Sequence, residues 1–471
     1  MIVSTHIVHK QKVDLKISRS EDSFALQSRV SYLLQHELTQ KMEMIFDEFV
    51  PHDEIIRIDQ LHLDLKTINS KNFEKEFEER FIDELKNELK KVKGSKNNNT
   101  VTIKKHDSLL HSLIYFLEHG YLAWYDSVRQ MQLWEEEILN HLPEKDWEYF
   151  FDWLKKNHSA NNQIIERLVL QFSDRFLHSI ISKINVYPAD VFRDVYEDLF
   201  FILQAAIPDQ KKDTNKNFLW QSIIKVLLKQ GKSETEYWLL KNIFSKRNDL
   251  RNVFTGLKKD ELIRNIKTET IQNAIEKFIE SPTDKDDDLI FEEDVIPKQK
   301  QQVEKDSLYV NDCGIVILHP FLEMYFTELE LMMEQQFIND DACKRSVLLL
   351  HYLATGEKQV AEFDLVLQKI LCGLPIEETL PSTIELSEKE VAESENLLRS
   401  VMNYWPPLKN TSIEGLRQTF LQRDGKLSQT ETGWLLRIEQ KTVDILLGKL
   451  PWGFSTIQLP WIKDFLSVEW C

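Results

Sequence analysis

Along residues 1–93 the apolar positions change period three times, giving four segments. Ile7, Val13, Leu15 and Ile17 share one parity with polar residues between them, as a half-buried strand requires. Val30, Leu34, Leu38, Met42, Ile45 and Phe49 then step by three or four, one apolar stripe of a helix. Pro51 closes that helix, because proline offers no amide to a further turn. From Ile56 to Leu65 alternation returns, even at Ile56 and Ile58 but odd at Leu61, Leu63 and Leu65. This predicts a second strand with a bulge near Asp59 and Gln60 absorbing the extra residue. Phe73, Phe77, Phe81, Leu85, Leu89 and Val92 form a second helical stripe. The pattern predicts an N-terminal βαβα unit over 1–93, and the polar run 94–100 predicts a flexible break.

Residues 101–280 read as a helical central region. Aromatic-rich segments such as Leu109 to Tyr125, Trp147 to Leu154 and Phe218 to Leu228 alternate with polar stretches of helical-hairpin length. No fixed repeat period is present. Between Glu280 and Asp306 ten acidic residues stand against four lysines, with Pro282, Pro297 and the run Asp286 to Asp288. That composition predicts a solvated linker over 281–306, since few apolar groups are available to repay ordering. A calcium loop would need an interior glycine and a terminal glutamate at set spacing, and the stretch has neither. Residues 307–471 read as a C-terminal α+β domain opening on Gly314 to Leu322. Ser387 with Glu390, and Thr411 with Glu414, have capping-box spacing. Lys426 to Glu439 predicts a hairpin turning at Thr430 to Gly433, followed by a short helix at Val443 to Leu450. Ile457 to Leu459 and Ser467 to Trp470 predict further strands. The fold class expected is mainly α with small α+β modules at both ends.

Composition narrows the function. At 471 residues the chain is long enough for two to four domains, and 42% hydrophobic with 10% aromatic residues describes a folded protein. A net charge of −18 argues against nucleic acid and against anionic lipid, both of which call for a basic face. Cys313, Cys343, Cys372 and Cys471 are far apart and suit reduced thiols of a cytosolic protein. Neither a secretory signal nor an eighteen-residue apolar run is visible.

Catalytic signatures are missing. The chain has no phosphate-binding loop, no GxGxxG after a strand, no HExxH and no GxSxG elbow. His6 and His9, three apart on an expected strand, would point to opposite faces. His319, Cys343, His351 and Cys372 are isolated, unlike the paired ligands of structural zinc sites, and read as buried thiols and hydrogen-bonded histidines. Arg57, Asp59 and Asp64 read as the solvent face of an antiparallel ladder. No cofactor, metal or catalytic residue is expected.

The C-terminal region is different: Trp405, Trp434, Trp452, Trp461 and Trp470 crowd into 66 residues. Three of the five are expected in a core, and those at turns are candidates for an interface anchor, because tryptophan is enriched at contact centres. Trp405, Trp452, Trp461 and Trp470, with Lys409 and Asn410, are the candidate interface residues. The segments Leu408 to Gly425, Leu450 to Trp461 and Val468 to Cys471 resemble the C-terminal module of the contractile injection system tape measure family, found in phage-tail-like particles. Leu349 to Glu357, Leu365 to Pro375, His6 to Gln11 and Arg57 to Leu65 resemble the same family, together about half the chain at its two ends. Residues 95–306 resemble nothing nameable.

The resemblance implies a structural assembly protein without enzymatic activity. It would assemble in the bacterial cytoplasm with the baseplate and inner tube proteins, lie in the tube lumen, self-associate there and limit tube length. Drawn out as one helix the chain would reach ~700 Å, and the centre alone roughly 300 Å. Its aromatic faces need partners, however, so the centre either packs against other copies or folds back as a compact domain. A compact molecule would act as a tube initiator, baseplate adaptor or assembly chaperone. A helical scaffold unrelated to injection systems is the other alternative, and neighbouring sheath, tube and baseplate genes would distinguish it.

Overall fold

The computed structural model describes residues 6–8, 11–17, 23–51, 54–69, 72–94, 100–126, 128, 130–158, 161–183, 189–206, 211–230, 235–245, 263–280 and 307–470. Its contacts divide the chain into two compact units, Met1–His111 and Ser112–Cys471. The expected linker 281–306 lies outside the described residues. The expected fold class holds: helices dominate, with strands in both end regions.

In the first unit the helices Ser23–Tyr32 and Leu38–Phe49 are joined by a π turn, Leu33–Glu37. The wider turn lets Leu33, Leu34 and Leu38 all reach the core with Val30 and Ile45. Opposite runs the helix Phe73–Gly94, whose Phe73, Phe77, Phe81, Leu85 and Leu89 are buried as the stripe predicts.

The strands of this unit differ from expectation. Ile7, Val13, Leu15 and Ile17 are exposed and outside any strand, so their shared parity answers to no sheet. Strand β1 (Glu54–Ile58) stops before the expected bulge and pairs antiparallel with β2 (Thr100–Lys104), Glu54 facing Lys104 and Ile58 facing Thr100. Leu61, Leu63 and Leu65 instead lie partly buried on the helical core. An extended segment laid against helices produces the same alternation as a ladder, and the parity break marks where the chain leaves the sheet. The described order is therefore helix, strand, helix, strand and not βαβα, and strand β2 takes the end of the expected break and 101–104, where helix was expected. Arg57 lies half-buried on β1 and donates to Ser108 Oγ at 3.4 Å, while Asp59 and Asp64 fall outside the strand.

The helix Lys105–His119 crosses the boundary between units. Beyond it the second unit continues through helices Met131–His141, Glu144–Asn157, Gln163–Gln171, Asp174–Lys183, Ala189–Ala206, Lys212–Gln230, Thr235–Ser245 and Glu269–Glu280. Trp134, Trp147 and Trp220 are fully buried among them, and Trp220 Nε1 donates to Asp174 Oδ1 at 2.9 Å. The aromatic faces have found partners within the chain.

The C-terminal part of this unit is built on a five-stranded sheet. Strands β3 (Leu308–Val310), β4 (Met332–Met333), β5 (Gln336–Phe337), β6 (Gly425–Thr430), β7 (Gly433–Ile438), β8 (Thr456–Ile457) and β9 (Phe465–Glu469) follow in order, β4 and β5 forming a small ribbon apart. The main sheet runs β3-β6-β7-β9-β8, antiparallel except for the parallel pair β7 and β9. The hairpin β6–β7 turns where predicted, Thr430 facing Gly433. Helices Asp340–Thr355, Val366–Cys372 and Glu388–Tyr404 pack with this sheet around one large core.

Ser387 and Glu390 form the expected capping box. The second cap is displaced by one residue: Ser412, not Thr411, accepts the Gly415 amide at 3.0 Å. The short helix expected at 443–450 is a 3-10 helix, Thr442–Lys449. Cys313–Phe321 is another, and it presses directly on the backbone of Phe420. A Cβ on Gly314 would stand 1.6 Å from the Phe420 carbonyl oxygen. Backbone cannot yield as a side chain does, so Gly314→Ala should destabilise this unit by at least about 3 kcal/mol. A melt within about 1 kcal/mol of the parent would refute that packing.

Candidate interaction surface

The five C-terminal tryptophans divide into two kinds. Trp405 ends the helix Glu388–Tyr404, fully buried, its ring 4.6 Å from Phe420 and its Nε1 donating to Leu446 O at 3.1 Å. Trp470 is buried behind β9, where Nε1 donates to Asp444 Oδ2 at 3.2 Å. Buried Arg423 donates to the other oxygen of Asp444 and lies over the Trp470 ring at 5.9 Å. One carboxylate thus pins the final strand to the 3-10 helix Thr442–Lys449.

Trp452 and Trp461 are half-buried. Trp452 donates to Ile317 O at 2.9 Å and meets Phe321 edge-on at 5.1 Å. Trp461 donates to Leu371 O at 2.9 Å, with Phe337 5.9 Å away. Each ring has its polar tip held inside and part of its face left in water. Trp434 is half-buried on β7. Lys409 and Asn410 are exposed just after the short 3-10 turn Pro406–Leu408. Tyr404, 63% exposed and 6.2 Å from Phe321, joins the Trp452 surface. Sequence reading passed over it, although it follows from Trp405: neighbours on a helix end point to different sides.

A second cluster lies within the unit, and no motif announced it. Arg167, on the helix Gln163–Gln171, donates through Nε to both carboxylate oxygens of Glu362 at 3.2 and 3.1 Å. Its Nη1 and Nη2 donate to Leu117 O and Glu377 O. Lys369 Nζ donates to Glu362 Oε1 and Ile376 O, each at 2.8 Å. All three side chains are fully buried, two cations on one carboxylate. Burial pulls the Lys369 pKa below the ordinary lysine value; Glu362 works against this and Arg167 works with it. Gln171 brackets the pair, accepting the Glu362 amide at 2.8 Å and donating to Leu380 O at 2.7 Å. Gly120, at φ +78°, brings its backbone against the cluster, where a Cβ would lie 2.4 Å from Glu362 Oε1. A lysine inside the apolar run 365–372 is the one sequence signal that could have raised it.

Family comparison matches residues 5–470 to the contractile injection system tape measure protein family. The chain belongs to this family. Comparison with curated proteins finds no match, and comparison with solved structures finds none. The match takes in the centre, 95–306, which the sequence reading could not place. The role that follows is structural, that of a tape measure protein. Among the described residues no helix is long and apolar enough to cross a membrane.

In this tape measure family member His319 and His351 have local partners, and Cys343 lies against Cys372. His319 Nδ1 is 2.9 Å from Val316 O, and burial lowers its pKa. His351 Nε2 is 3.3 Å from Thr355 Oγ1, and Cys343 Sγ is 3.4 Å from Cys372 O. Burial pushes the Cys343 thiol up to about 11, and it also raises the fully buried Cys313 and Cys372 well above the ordinary thiol value. Burial disfavours the thiolate at all three, Cys313 and Cys372 inside the core and Cys343 partly buried against it. His9 and Cys471 lie outside the described residues.

Proposed function

We propose that the chain is built into a contractile injection particle with its inner tube and baseplate proteins, where it helps set tube length. No catalytic step belongs to this role. The observation that carries the reading is the family match over 5–470, nearly end to end. Strains lacking the chain should give no particles, or tubes of scattered length by electron microscopy. Tubes of unchanged yield and length distribution would overturn it.

Attachment, on this reading, uses the C-terminal surface around Trp452, Trp461, Lys409 and Asn410. Trp405 and Trp470 serve that surface from beneath. Trp405→Ala and Trp470→Ala should each destabilise the unit by about 3–5 kcal/mol, because a buried indole leaves a large cavity. Lys409→Ala with Asn410→Ala should leave melting unchanged and weaken binding to purified tube or baseplate protein. Trp452→Ala and Trp461→Ala should do the same with a smaller loss of stability than the buried pair. Binding unchanged in all the surface variants would place attachment elsewhere.

The initiator or adaptor reading has one observation in its favour. The central helices are packed within a compact unit, which suits a body acting at one end of a tube.

A further inference from the structure

The ribbon β4–β5 is apolar on both faces. Its inner face sets Met332 and Phe337 on the core, with Phe337 5.6 Å from Phe326 and 5.9 Å from Trp461. Side chains alternate along a strand, so Met333 and Ile338 face the other way, 68% and 53% exposed. The preceding helix, Leu322–Glu328, is tied to the ribbon by the Leu331 amide donating to Phe326 O at 2.9 Å. It adds Met324, 61% exposed. Between His319 and Lys344 the chain carries Glu323, Glu328, Glu330, Glu334, Asp340 and Asp341, and no lysine or arginine. Among the described residues only Glu330 of these six forms an ion pair, with Lys389 at 2.8 Å. Asp340 and Asp341 suit the first turn of the helix Asp340–Thr355, where a negative charge meets free amides. Glu328 and Glu334 are placed against local preference. Glu328 closes a helix, where unpaired carbonyls already concentrate negative charge. Glu334 turns the ribbon at φ +49° beside Gln335 at +63°, positions that glycine or asparagine would relax. Residues kept where local physics disfavours them answer to something outside the fold.

We propose that the ribbon β4–β5 and the helix Leu322–Glu328 form a docking surface for a cationic amphipathic segment of another protein. Methionine is unbranched and polarisable, so Met324 and Met333 adapt to an apolar partner face of loosely defined shape. The carboxylates around them pair with lysine or arginine on the flanks of that segment. Charge also decides against other occupants. A second copy presenting this face would set six carboxylates against six, and anionic lipid would be repelled as well. Trp461 lies beneath the ribbon, so the surface extends the attachment surface proposed above. The inference rests on that reading for its place in the particle, and on the ribbon alone for its chemistry.

The chemistry is tested on the full chain with a fluorescein-labelled synthetic helix of leucine and lysine, read by anisotropy. The parent should bind it about tenfold or more tightly than a leucine–glutamate helix of equal length. Glu328→Gln with Glu334→Asn should weaken binding about tenfold, with the melt unchanged or raised because asparagine accepts a positive φ. Met324→Ser with Met333→Ser should weaken it similarly without touching charge. The charge-matched control is Glu43→Gln with Glu48→Gln, both exposed on the helix Leu38–Phe49 of the first unit, and it should bind as the parent does. A control that loses as much as the ribbon pair would mean the chain's general negative charge attracts the peptide, and the inference falls. In purified particles a photo-reactive residue, Met333→benzoylphenylalanine, then identifies the occupant by mass spectrometry. A bridge to a lysine- or arginine-rich peptide of another particle protein is expected. A bridge to this same chain, to a peptide without basic residues, or to nothing, would overturn the docking surface. Absence of the chain's peptides from particles would sink the proposed function instead, and the peptide titrations would still decide the inference.

Discussion

Glu362→Gln should be among the most damaging single substitutions in the second unit, lowering stability by about 3–5 kcal/mol. The reason is charge count. Arg167 and Lys369 are both fully buried, and Glu362 is the one carboxylate that both touch. Removing it leaves two cations in a low-dielectric interior with only backbone carbonyls for company. Lys369→Met should be mild by comparison, within about 1.5 kcal/mol, because Arg167 and Glu362 remain a balanced pair and methionine fills the same space. Chemical denaturation of the three proteins checks the order. If Glu362→Gln unfolds at the parent midpoint, or Lys369→Met is the worse of the two, the cluster is not held together as described.

The same site has a pH signature. A lysine whose pKa falls on folding binds its proton less readily in the fold than in the unfolded chain. The unfolded state then holds more protons between the lowered value and the ordinary one, so this residue's contribution to stability rises as pH climbs through that window. At lower pH the fold carries the penalty of a desolvated ammonium. Lys369→Met should remove that rise, seen as a variant stability curve flatter than the parent's across alkaline pH. An identical slope in both proteins would mean Lys369 titrates as an ordinary lysine.

How much of this was legible in the sequence depends on the range of the interaction. The stripe Phe73 to Leu89, the Ser387–Glu390 box and the turn at Thr430 to Gly433 were readable, since each is fixed within a few residues. The N-terminal strands were misread because alternation records burial on one side, not a hydrogen-bonded partner. Leu61, Leu63 and Leu65 obtain that burial from helices. The pairing of β1 with β2 is set by residues about forty to fifty positions apart, and nothing at Glu54 names Lys104. Tryptophan density singled out the C-terminal part for the candidate surface. It did not sort Trp405 and Trp470 from Trp452 and Trp461, because exposure depends on what packs over each ring. Arg167 and Glu362 lie 195 residues apart and look like any two surface charges until the fold closes on them.

That closure changes what a central deletion should do. With the centre as an independent spacer, removing 163–183 would shorten a helical ruler by roughly 30 Å, at ~1.5 Å per residue, and leave attachment intact. The folded chain predicts another outcome. The excision takes Arg167, Gln171 and the buried Phe176, Leu177 and Ile180, and leaves Glu362 and Lys369 without their partner from the helical centre. The second unit should then fail to fold, with the protein insoluble or absent from particles and tubes lost, the outcome also expected on deleting 408–471. Electron microscopy of tubes, with an immunoblot for incorporated chain, separates the cases. Tubes shorter by the helical rise and still containing the truncated chain would show the centre drawn out in the particle, and the Arg167 cluster would then be a feature of the free protein alone.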